Sequence, residues 1–375
     1  MGQRPHLSRY RWEGVFGAEF TLAAVRGRCR ALVRTLAARR LSCLVAHDTR
    51  FMAGQFALDA YRLLESAGLS ASFCPSPAPF PAVELALEQR RADCALVVSA
   101  GNRPYWYGGL ILLAPPADPP PLEAPAAEPQ SDALPFPPQP AEGGERNQID
   151  LRAPYLERLR GEVDIELIRR APLTVFVDPM NGAASGCLPG AIGEGAQARA
   201  IEINRETDAL FGRQTPQPAE VGLTRLRKLV KESDSHLGVA ISADGRALGV
   251  ADHTGEVVPP LDLALLLAQY LSGQHRQRGL VVAPAGPEPP GGVKAWEEAY
   301  GLRLELAADP AARIAEVAGR DRGSLLVGVT SAGEVTMGRF GASPDGTLAA
   351  LVLVEIVARF GEKLRPLVEK AKRKP

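Results

Sequence analysis

The 375-residue sequence lacks the marks of several large classes of protein. It has only five cysteines, and no two of them have the spacing of a zinc site. No apolar run reaches the roughly 18–20 residues that cross a bilayer. The 43 basic and 43 acidic residues give a formal net charge of zero, without a basic stripe. These absences predict a protein that does not span a membrane, does not bind nucleic acid and has no structural zinc.

The cysteines and the N-terminus predict a cytoplasmic location. Each cysteine lies in or beside an apolar segment, which is typical of small buried residues in a reducing compartment. Residues 1–10 are polar and rich in arginine, unlike a secretory signal. The five histidines have no metal-ligand spacing, and the glycine-rich stretch 182–186 lacks the Gly-Lys-Ser/Thr of a phosphate-binding loop.

Short apolar strands alternate with helical patterns through most of the chain. Strands are predicted at 41–46, 95–98, 174–177, 237–241, 280–282 and 324–329, and helices at 56–67, 261–271 and 347–360. Such alternation predicts an α/β fold with mixed, mainly parallel sheets. Between Ala114 and Gly144 the chain is instead rich in proline, which predicts an extended, mobile linker without regular structure.

Several loops carry a family resemblance. Residues 96–110 read LVVSAGNRPYWYGGL, which resembles the T-A-S-H-N-P-x-x-Y-N-G-[IL] phosphoserine loop of the α-D-phosphohexomutases, the phosphoglucomutases and phosphomannomutases. Residues 48–51 match the D-T-R-F of that family. Residues 178–183 and 207–211 are similar to its D-P-[LM]-x-G-A and P-D-P-x-F motifs.

The resemblance implies three consecutive α/β/α domains. Their expected bounds are 1–113, 149–273 and 274–375, with a linker at 114–148. The fourth domain of the family, which closes over the substrate phosphate, is expected to be absent, because only about fifteen residues follow Phe360.

The resemblance also implies a chemistry, which is phosphoryl transfer within a hexose phosphate through a phosphoserine and Mg²⁺. The phosphoserine position falls on Gly101, which has no side chain to phosphorylate. Asn102 and Arg103 replace the histidine and asparagine of the family. Ser99 lies two residues earlier, about 6–7 Å away in an extended segment, and is a poor substitute.

The metal loop of the family, D-G-D-x-D-R, falls on residues 242–247, which read SADGRA. Only Asp244 remains of the three acids, and Arg246 places a positive charge where the third acid belongs. One carboxylate is a weak Mg²⁺ site. We expect Arg246 to pair with Asp244, although a bound anion is an alternative partner.

Two further loops depart from the family. The sugar-recognition motif G-E-E-S-G-G falls on residues 328–333, where Val329 and Thr330 replace both glutamates and Ser331 is interpreted as part of a turn. The N-terminal loop motif F-G-T-D-G-x-R-G falls on residues 7–14, and its arginine lies opposite Glu13.

Four altered loops predict a catalytically inactive homologue that binds a protein partner or an anionic ligand and needs no cofactor. One alternative is an active phosphohexomutase with Ser99 as phosphate carrier and Asp244 as a Mg²⁺ ligand. Another is a sensor of a phosphorylated small molecule. Arg50, Arg103 and Arg246 are its candidate cationic contacts, with Ser331 as a further substrate contact.

Overall fold

The computed structural model describes residues 7–116 and 146–373, together with 122, 136 and 138. The chain divides into two compact units. Unit 1 comprises residues 1–155, 181–183 and 207–216, and unit 2 comprises 156–180, 184–206 and 217–375.

Unit 1 is built around one five-stranded sheet. Its strands are β1 (Ser8–Val15), β2 (Cys43–His47), β3 (Ala71–Phe73), β4 (Cys94–Val98) and β5 (Tyr107–Ala114), in the order β1-β5-β4-β2-β3. Its helices are α1 (Leu22–Arg39), α2 (Ala53–Ser66) and α3 (Phe80–Glu88). The strands β2, β3 and β4 are parallel, whereas β1 and β5 are antiparallel to their neighbours. β2 and β4 are buried along their whole length, which fits the apolar sequence of β4 and of β2 up to its last residue, His47.

The expectation that the N-terminal motif forms a loop was wrong. Residues 7–14, expected as a loop, lie almost entirely in β1, and Ser8 to Val15 pair residue by residue with Ala114 to Tyr107. The strand lies at the edge of the sheet, where one side of its side chains remains in contact with water. Its polar, arginine-rich composition therefore hid a strand whose partner lies about a hundred residues away.

Unit 2 contains two sheets of the same design. The first has the order β7-β6-β8-β9, from β6 (Thr174–Asp178), β7 (Arg199–Glu202), β8 (Leu237–Ile241) and β9 (Leu248–Asp252). The second has the order β11-β10-β12-β13, from β10 (Leu280–Pro284), β11 (Arg303–Ala307), β12 (Leu325–Val329) and β13 (Val335–Thr336). In each sheet three strands are parallel and the last is antiparallel.

The remaining helices lie before, between and after these strands. They are α4 (Arg152–Gly161), α5 (Ile165–Arg170), α6 (Cys187–Ile192), α7 (Thr224–Glu232), α8 (Pro260–His275), α9 (Gly292–Tyr300), α10 (Pro310–Arg320), α11 (Gly346–Phe360) and α12 (Leu364–Lys372). The described residues thus confirm the predicted α/β class, with three mixed sheets of mostly parallel strands.

The predicted linker is anchored at several described points. β5 continues to Ala114, Leu122 is buried in the core of unit 1, and the ring of Phe136 lies 4.9 Å from that of Phe56. Near its end Gln148 forms an isolated bridge with Phe73. The other residues between 117 and 145, for which an absence of regular structure was predicted, lie outside the described residues.

Two predictions made from composition, on the cysteines and on membrane-spanning segments, can be compared with the structure. All five cysteines are buried, and among the described residues none forms a disulfide. Within the same residues no helix is long and apolar enough to cross a bilayer.

Candidate functional site

The first candidate loop, residues 99–107, leaves the carboxyl end of β4 and is called the Gly101 loop here. Gly101 has φ = +57°, in the left-handed region that favours glycine. Its N–H donates to the Oγ of the buried Ser99 at 2.9 Å. The Ser99 hydroxyl therefore caps the turn inside the protein, and it is not presented at the surface.

Arg50 holds this loop from the neighbouring strand end. The side chain is buried, and its Nη1 donates to the carbonyls of Pro104 and Tyr107 at 2.9 and 3.0 Å. Its Nη2 donates to the carbonyls of Gly101 and Arg103 at 2.7 and 2.6 Å, and its Nε lies 3.3 Å from Asp48. Both terminal nitrogens of Arg50 thus donate hydrogen bonds to backbone carbonyls of the Gly101 loop.

Arg103 and Glu13, which both depart from the family motifs, form an ion pair. The Nε of Arg103 donates to Glu13 Oε2 at 2.6 Å, and Arg11 bonds the other oxygen of Glu13. The hydrogen bond and charge of Glu13 raise the pKa of the exposed Arg103. The Arg103 guanidinium also lies over the ring of Tyr107, 5.2 Å from its centroid. The negative Glu13 is thus neutralised by the positive Arg103.

The second candidate loop, residues 242–247 in unit 2, follows β8 and is called the Asp244 loop. The Ser242 hydroxyl donates to Asp244 Oδ1 at 2.6 Å and accepts the N–H groups of Arg246 and Ala247. Arg246 donates from its N–H to Asp244 Oδ1 at 3.1 Å and from Nε to Oδ2 at 2.9 Å. Both carboxylate oxygens of Asp244 are therefore bonded within the loop.

The charge state of Asp244 follows from these partners. Burial alone would raise the pKa of this carboxyl, because the charged form loses water. The charge of Arg246 and the hydrogen bonds from Ser242 and Arg246 outweigh burial and hold the pKa of Asp244 below its ordinary value. The carboxylate is thus ionised and paired at neutral pH.

Sequence reasoning missed Glu334. Its Oε1 lies 3.3 Å from Arg246 Nη1, and Glu334 forms a bridge with Ala247. The Leu248 N–H donates to the Gly333 carbonyl at 2.8 Å, which joins the Asp244 loop to the turn after β12. An acid directly behind the glycine-rich turn was the available signal, but only the fold brings it to Arg246.

The turn after β12 holds the sugar-motif positions. Val329 ends β12 and is buried, and the buried Thr330 accepts the Glu334 N–H on its hydroxyl at 3.0 Å. Ser331 is exposed at the tip of the turn. The structure thus places Ser331 on a turn beside the Asp244 loop, whereas Ser99, Arg50 and Arg103 belong to the Gly101 loop region of unit 1.

These donors do not fit a magnesium ion. Mg²⁺ requires an octahedral set of oxygen ligands, and the Asp244 loop offers one carboxylate whose oxygens are already bonded. The Arg246 guanidinium adds a positive charge beside that carboxylate. Among the described residues, no group of three or more His, Cys, Asp or Glu side chains could hold a metal.

The fold and both loops define an α/β protein whose loop frames match those of a phosphoryl-transfer family. The family model for phosphoglucomutase/phosphomannomutase α/β/α domain I matches residues 7–124, and that for domain II matches residues 153–255. Together they match more than half of the chain. The chain belongs to the α-D-phosphohexomutase family, which contains the phosphoglucomutases and phosphomannomutases.

Relatives carry names from the same family. The chain is 26% identical to a phosphoglucomutase/phosphomannomutase of Thermococcus kodakarensis, over 93% of this chain and 73% of that protein. It is 25% identical to the phosphoglucosamine mutase of Caldicellulosiruptor bescii, over 95% of this chain and 79% of the relative. For the phosphoglucosamine mutase of Pectobacterium carotovorum the identity is 28%, and only 52% of that relative is covered.

Solved structures share the fold. A Thermus thermophilus protein described as a phosphomannomutase superposes with a TM-score of 0.81 at 24% identity, over 99% of this chain and 84% of that one. The phosphoglucomutase parafusin of Paramecium gives a TM-score of 0.74 at 15% identity, over 99% and 74% of the two chains. At these identities the likeness establishes the architecture alone.

Proposed function

We propose that this chain is a phosphohexomutase-family protein that does not transfer phosphate and acts by binding, with a protein partner favoured over an anionic ligand. The carrying observation is Gly101, which occupies the phosphoserine position without a side chain. A family reaction that depends on a covalent phosphate carrier has no such group at this position.

The state of the Asp244 loop supports the proposal independently. Its remaining carboxylate is neutralised by Arg246, in a loop that would have to present several acids to a cation. An active enzyme would therefore need a phosphate carrier and a metal site made by residues other than those at the two motif positions.

The alternative of an active mutase depends on Ser99. Its hydroxyl is buried and accepts a backbone hydrogen bond, so phosphorylation would require the turn at Gly101 to open. The alternative of a sugar-phosphate sensor depends on the three arginines. Arg50 is committed to four carbonyls, Arg103 to Glu13, and Arg246 to Asp244 and Glu334. Each contact weakens the case for an anion site.

We also propose a cytoplasmic location, which the five buried cysteines support because buried thiols without disulfides are typical of a reducing compartment. Fractionation of the source cells, with detection by antibody, tests this directly. Recovery of the protein in an extracellular fraction would contradict it.

Mutase assays test the proposal. The full chain is assayed with glucose 1-phosphate, mannose 1-phosphate and glucosamine 1-phosphate, with and without Mg²⁺, beside the Thermococcus kodakarensis relative as positive control. We expect no turnover above background. Robust turnover that Ser99→Ala abolishes would establish the active alternative instead.

Calorimetric titration separates the binding alternatives. We expect no Mg²⁺ binding in the micromolar range, and a micromolar affinity would contradict our account of the Asp244 loop. Phosphate binding that both Arg103→Ala and Arg246→Ala weaken would favour the anionic ligand over the protein partner. Native mass spectrometry of the purified chain then identifies any retained phosphosugar, phosphorylated residue, metal or partner.

A further inference from the structure

The strand β11 lies at one edge of the second sheet of unit 2, with β10 as its only neighbouring strand among the described residues. On the β10 side, the Ala307 carbonyl accepts the Ala285 N–H at 2.8 Å. Backbone groups of successive residues in a strand point to opposite sides, so those of Leu304 and Leu306 point away from β10. Outward groups of this kind are a template for pairing with a strand of another chain.

Glu297 covers the first of these outward groups. It lies on α9, the helix that leads into β11, and its Oε1 accepts the Leu304 N–H at 2.9 Å. A hydrogen bond to an ionised carboxylate is stronger than one to a neutral carbonyl. The Glu297 carboxylate therefore occupies the place where the carbonyl of an added strand would bind.

The edge strand β1 is closed in the same way. The Phe16 N–H donates to the Trp106 carbonyl on the β5 side, so the N–H of the preceding Val15 points outward. Glu19 Oε2 accepts that N–H at 2.7 Å. The strands β3, β9 and β13 are instead covered by backbone bonds from neighbouring segments. A glutamate cap thus recurs at two edges where no backbone segment pairs.

The sequence of β11 suits pairing with an identical strand. In an antiparallel pair centred on Leu304, this residue faces its own copy, and Arg303 faces Glu305 of the second copy. Arg303 is exposed, and within the described parts of the chain no carboxylate pairs with it. Opposite charges at facing positions stabilise strand pairing, and two-fold symmetry supplies this pair twice.

The other charges around β11 are nearly balanced. Glu305 accepts Arg313 Nε with both oxygens, at 2.9 and 3.1 Å, and Arg313 also binds Glu316. The acidic residues of α9, β11, α10 and its N-cap are Glu297, Glu298, Glu305, Asp309 and Glu316, and the basic ones are Lys294, Arg303, Arg313 and Arg320. Because five acids face four bases, little net repulsion opposes a second copy.

We propose that β11 is a latent interface for a second copy of this chain and that Glu297 keeps it closed by capping Leu304. Without that cap, the Leu304 N–H of each copy donates to the Leu304 carbonyl of the other. Two four-stranded sheets then form one sheet of eight strands. This inference goes beyond the proposed function and does not depend on whether the chain transfers phosphate.

An extended segment of a different protein is the competing partner, because any backbone can pair with a free strand edge. The facing of Arg303 and Glu305 favours the identical strand, since a different segment would need matching charges by chance. The charge of residue 303 therefore separates the two partners.

Sedimentation velocity of the full chain tests the proposal. Glu297→Ala should dimerise at least tenfold more tightly than the wild type. Glu297→Gln keeps an acceptor oxygen for Leu304 and should behave like the wild type. Glu298→Ala is the matched control, because it removes the neighbouring exposed carboxylate and leaves the cap in place.

A second substitution tests the pairing itself. Adding Arg303→Glu to Glu297→Ala places two acids opposite each other and should weaken the dimer at least tenfold. Hydrogen exchange should show new protection at residues 303–307 of the Glu297→Ala dimer. Circular dichroism verifies folding, and Glu297→Ser, which is also too short to reach Leu304, replaces Glu297→Ala if that variant is unfolded.

Three outcomes would overturn the proposal. One is a wild type or Glu298→Ala that dimerises as tightly as Glu297→Ala. Another is a dimer unaffected by Arg303→Glu, or protected at a different edge such as β7. The third is a Glu297→Ala variant that stays monomeric. Mutase turnover would refute the proposed function and leave this inference unchanged.

Discussion

The Gly101 loop and the Asp244 loop are each held by one buried arginine, but the two arginines bind different partners. Arg50 approaches the Gly101 loop from another strand end and binds neutral carbonyls. Arg246 belongs to the Asp244 loop itself and binds carboxylates. The Gly101 loop has a glycine at the phosphoserine position, but its backbone is still held by hydrogen bonds. In the Asp244 loop, Arg246 pairs with the one remaining acid of the metal motif.

The difference has a physical consequence. Hydrogen bonds from Arg50 to carbonyls do not depend on the ionisation of the acceptor, so these four contacts should not change with pH. The Asp244 loop depends on an ionised, buried carboxylate, so its stability should change when that carboxylate takes up a proton.

The largest effect is expected for Arg50→Ala. Four buried or partly buried carbonyls lose their donor, and the buried Asp48 loses the guanidinium beside it while keeping the N–H of residue 50. Each unsatisfied buried group costs about 1–3 kcal/mol, so the free energy of unfolding should fall by about 4 kcal/mol or more. Urea denaturation measures this loss, and Arg50→Lys should lose less because it retains the charge. A smaller loss of unfolding free energy than that of Arg246→Ala would show that Arg246 contributes more to stability than Arg50.

Arg246→Ala should destabilise by about 3 kcal/mol at pH 7, because it leaves the buried Asp244 without its cation. Without Arg246, burial raises the pKa of Asp244 in the variant. The loss should therefore shrink toward acid pH, where the variant's carboxyl takes up a proton. Urea midpoints measured from about pH 4 to about pH 7 follow this change, because carboxyl groups take up protons toward the lower end of that range. The double variant Asp244→Asn/Arg246→Ala should recover much of the loss, and its failure to do so would show that packing, not charge, holds this loop.

Two buried carboxylates in unit 2 should give opposite pH dependences. Burial raises the pKa of Asp178, against hydrogen bonds from Met180 and Asn204, whereas that of Asp244 is lowered. The contribution of Asp244 is present above its unfolded pKa and is lost as pH falls through its folded pKa. Asp178 instead costs stability as pH rises from its unfolded pKa to its raised folded pKa.

The variants Asp178→Asn and Asp244→Asn test this pair. Difference curves of the unfolding free energy against pH should slope in opposite directions, and the changes should be smaller than that of Arg246→Ala because shape is retained. Curves of the same sign would show that the two carboxyls have the same kind of environment.

The smallest effect on stability is expected for Gly101→Ser, at about 1 kcal/mol, because a side chain is strained at φ = +57°. It restores the family residue at the phosphoserine position but leaves the Asp244 loop closed, so no mutase turnover should appear. Thermal unfolding and the coupled mutase assay measure the two outcomes. Turnover by this single variant would show that the Asp244 loop is no obstacle to catalysis.

Sequence patterns predicted the buried elements best. The strand at Leu237–Ile241 has the predicted bounds, and α11 begins one residue before the predicted helix at 347–360. Both are apolar segments whose periodicity reports burial. The polar edge strand β1 was not predicted as a strand, because its side chains resemble those of a loop and its partner β5 is remote in sequence.

For the candidate site, the sequence predicts which residues occupy the motif positions and which near neighbours pair. It does not predict contacts between residues that are far apart in the chain. Gly101 at the phosphoserine position and the pairing of Arg246 with Asp244, two residues apart, are local features. The role of Arg50 and the contact of Glu334 with Arg246 depend on segments roughly fifty to ninety residues apart. Arg50 was interpreted as a contact for an anion, and the structure directs it to carbonyls.

The amino-acid sequence by itself determined which groups are present, namely a glycine at the phosphoserine position, one acid in the Asp244 loop and aromatic residues at 105–107. It also determined the alternation of strands and helices, because apolar periodicity is a local property of the chain. Only the tertiary structure decided which groups meet: Glu13 with Arg103, Arg50 with four carbonyls, and Phe16 with Phe51 and Trp106. The physical reason is that hydrogen bonds and ion pairs act over a few ångströms, and sheet pairing brings distant segments within that range.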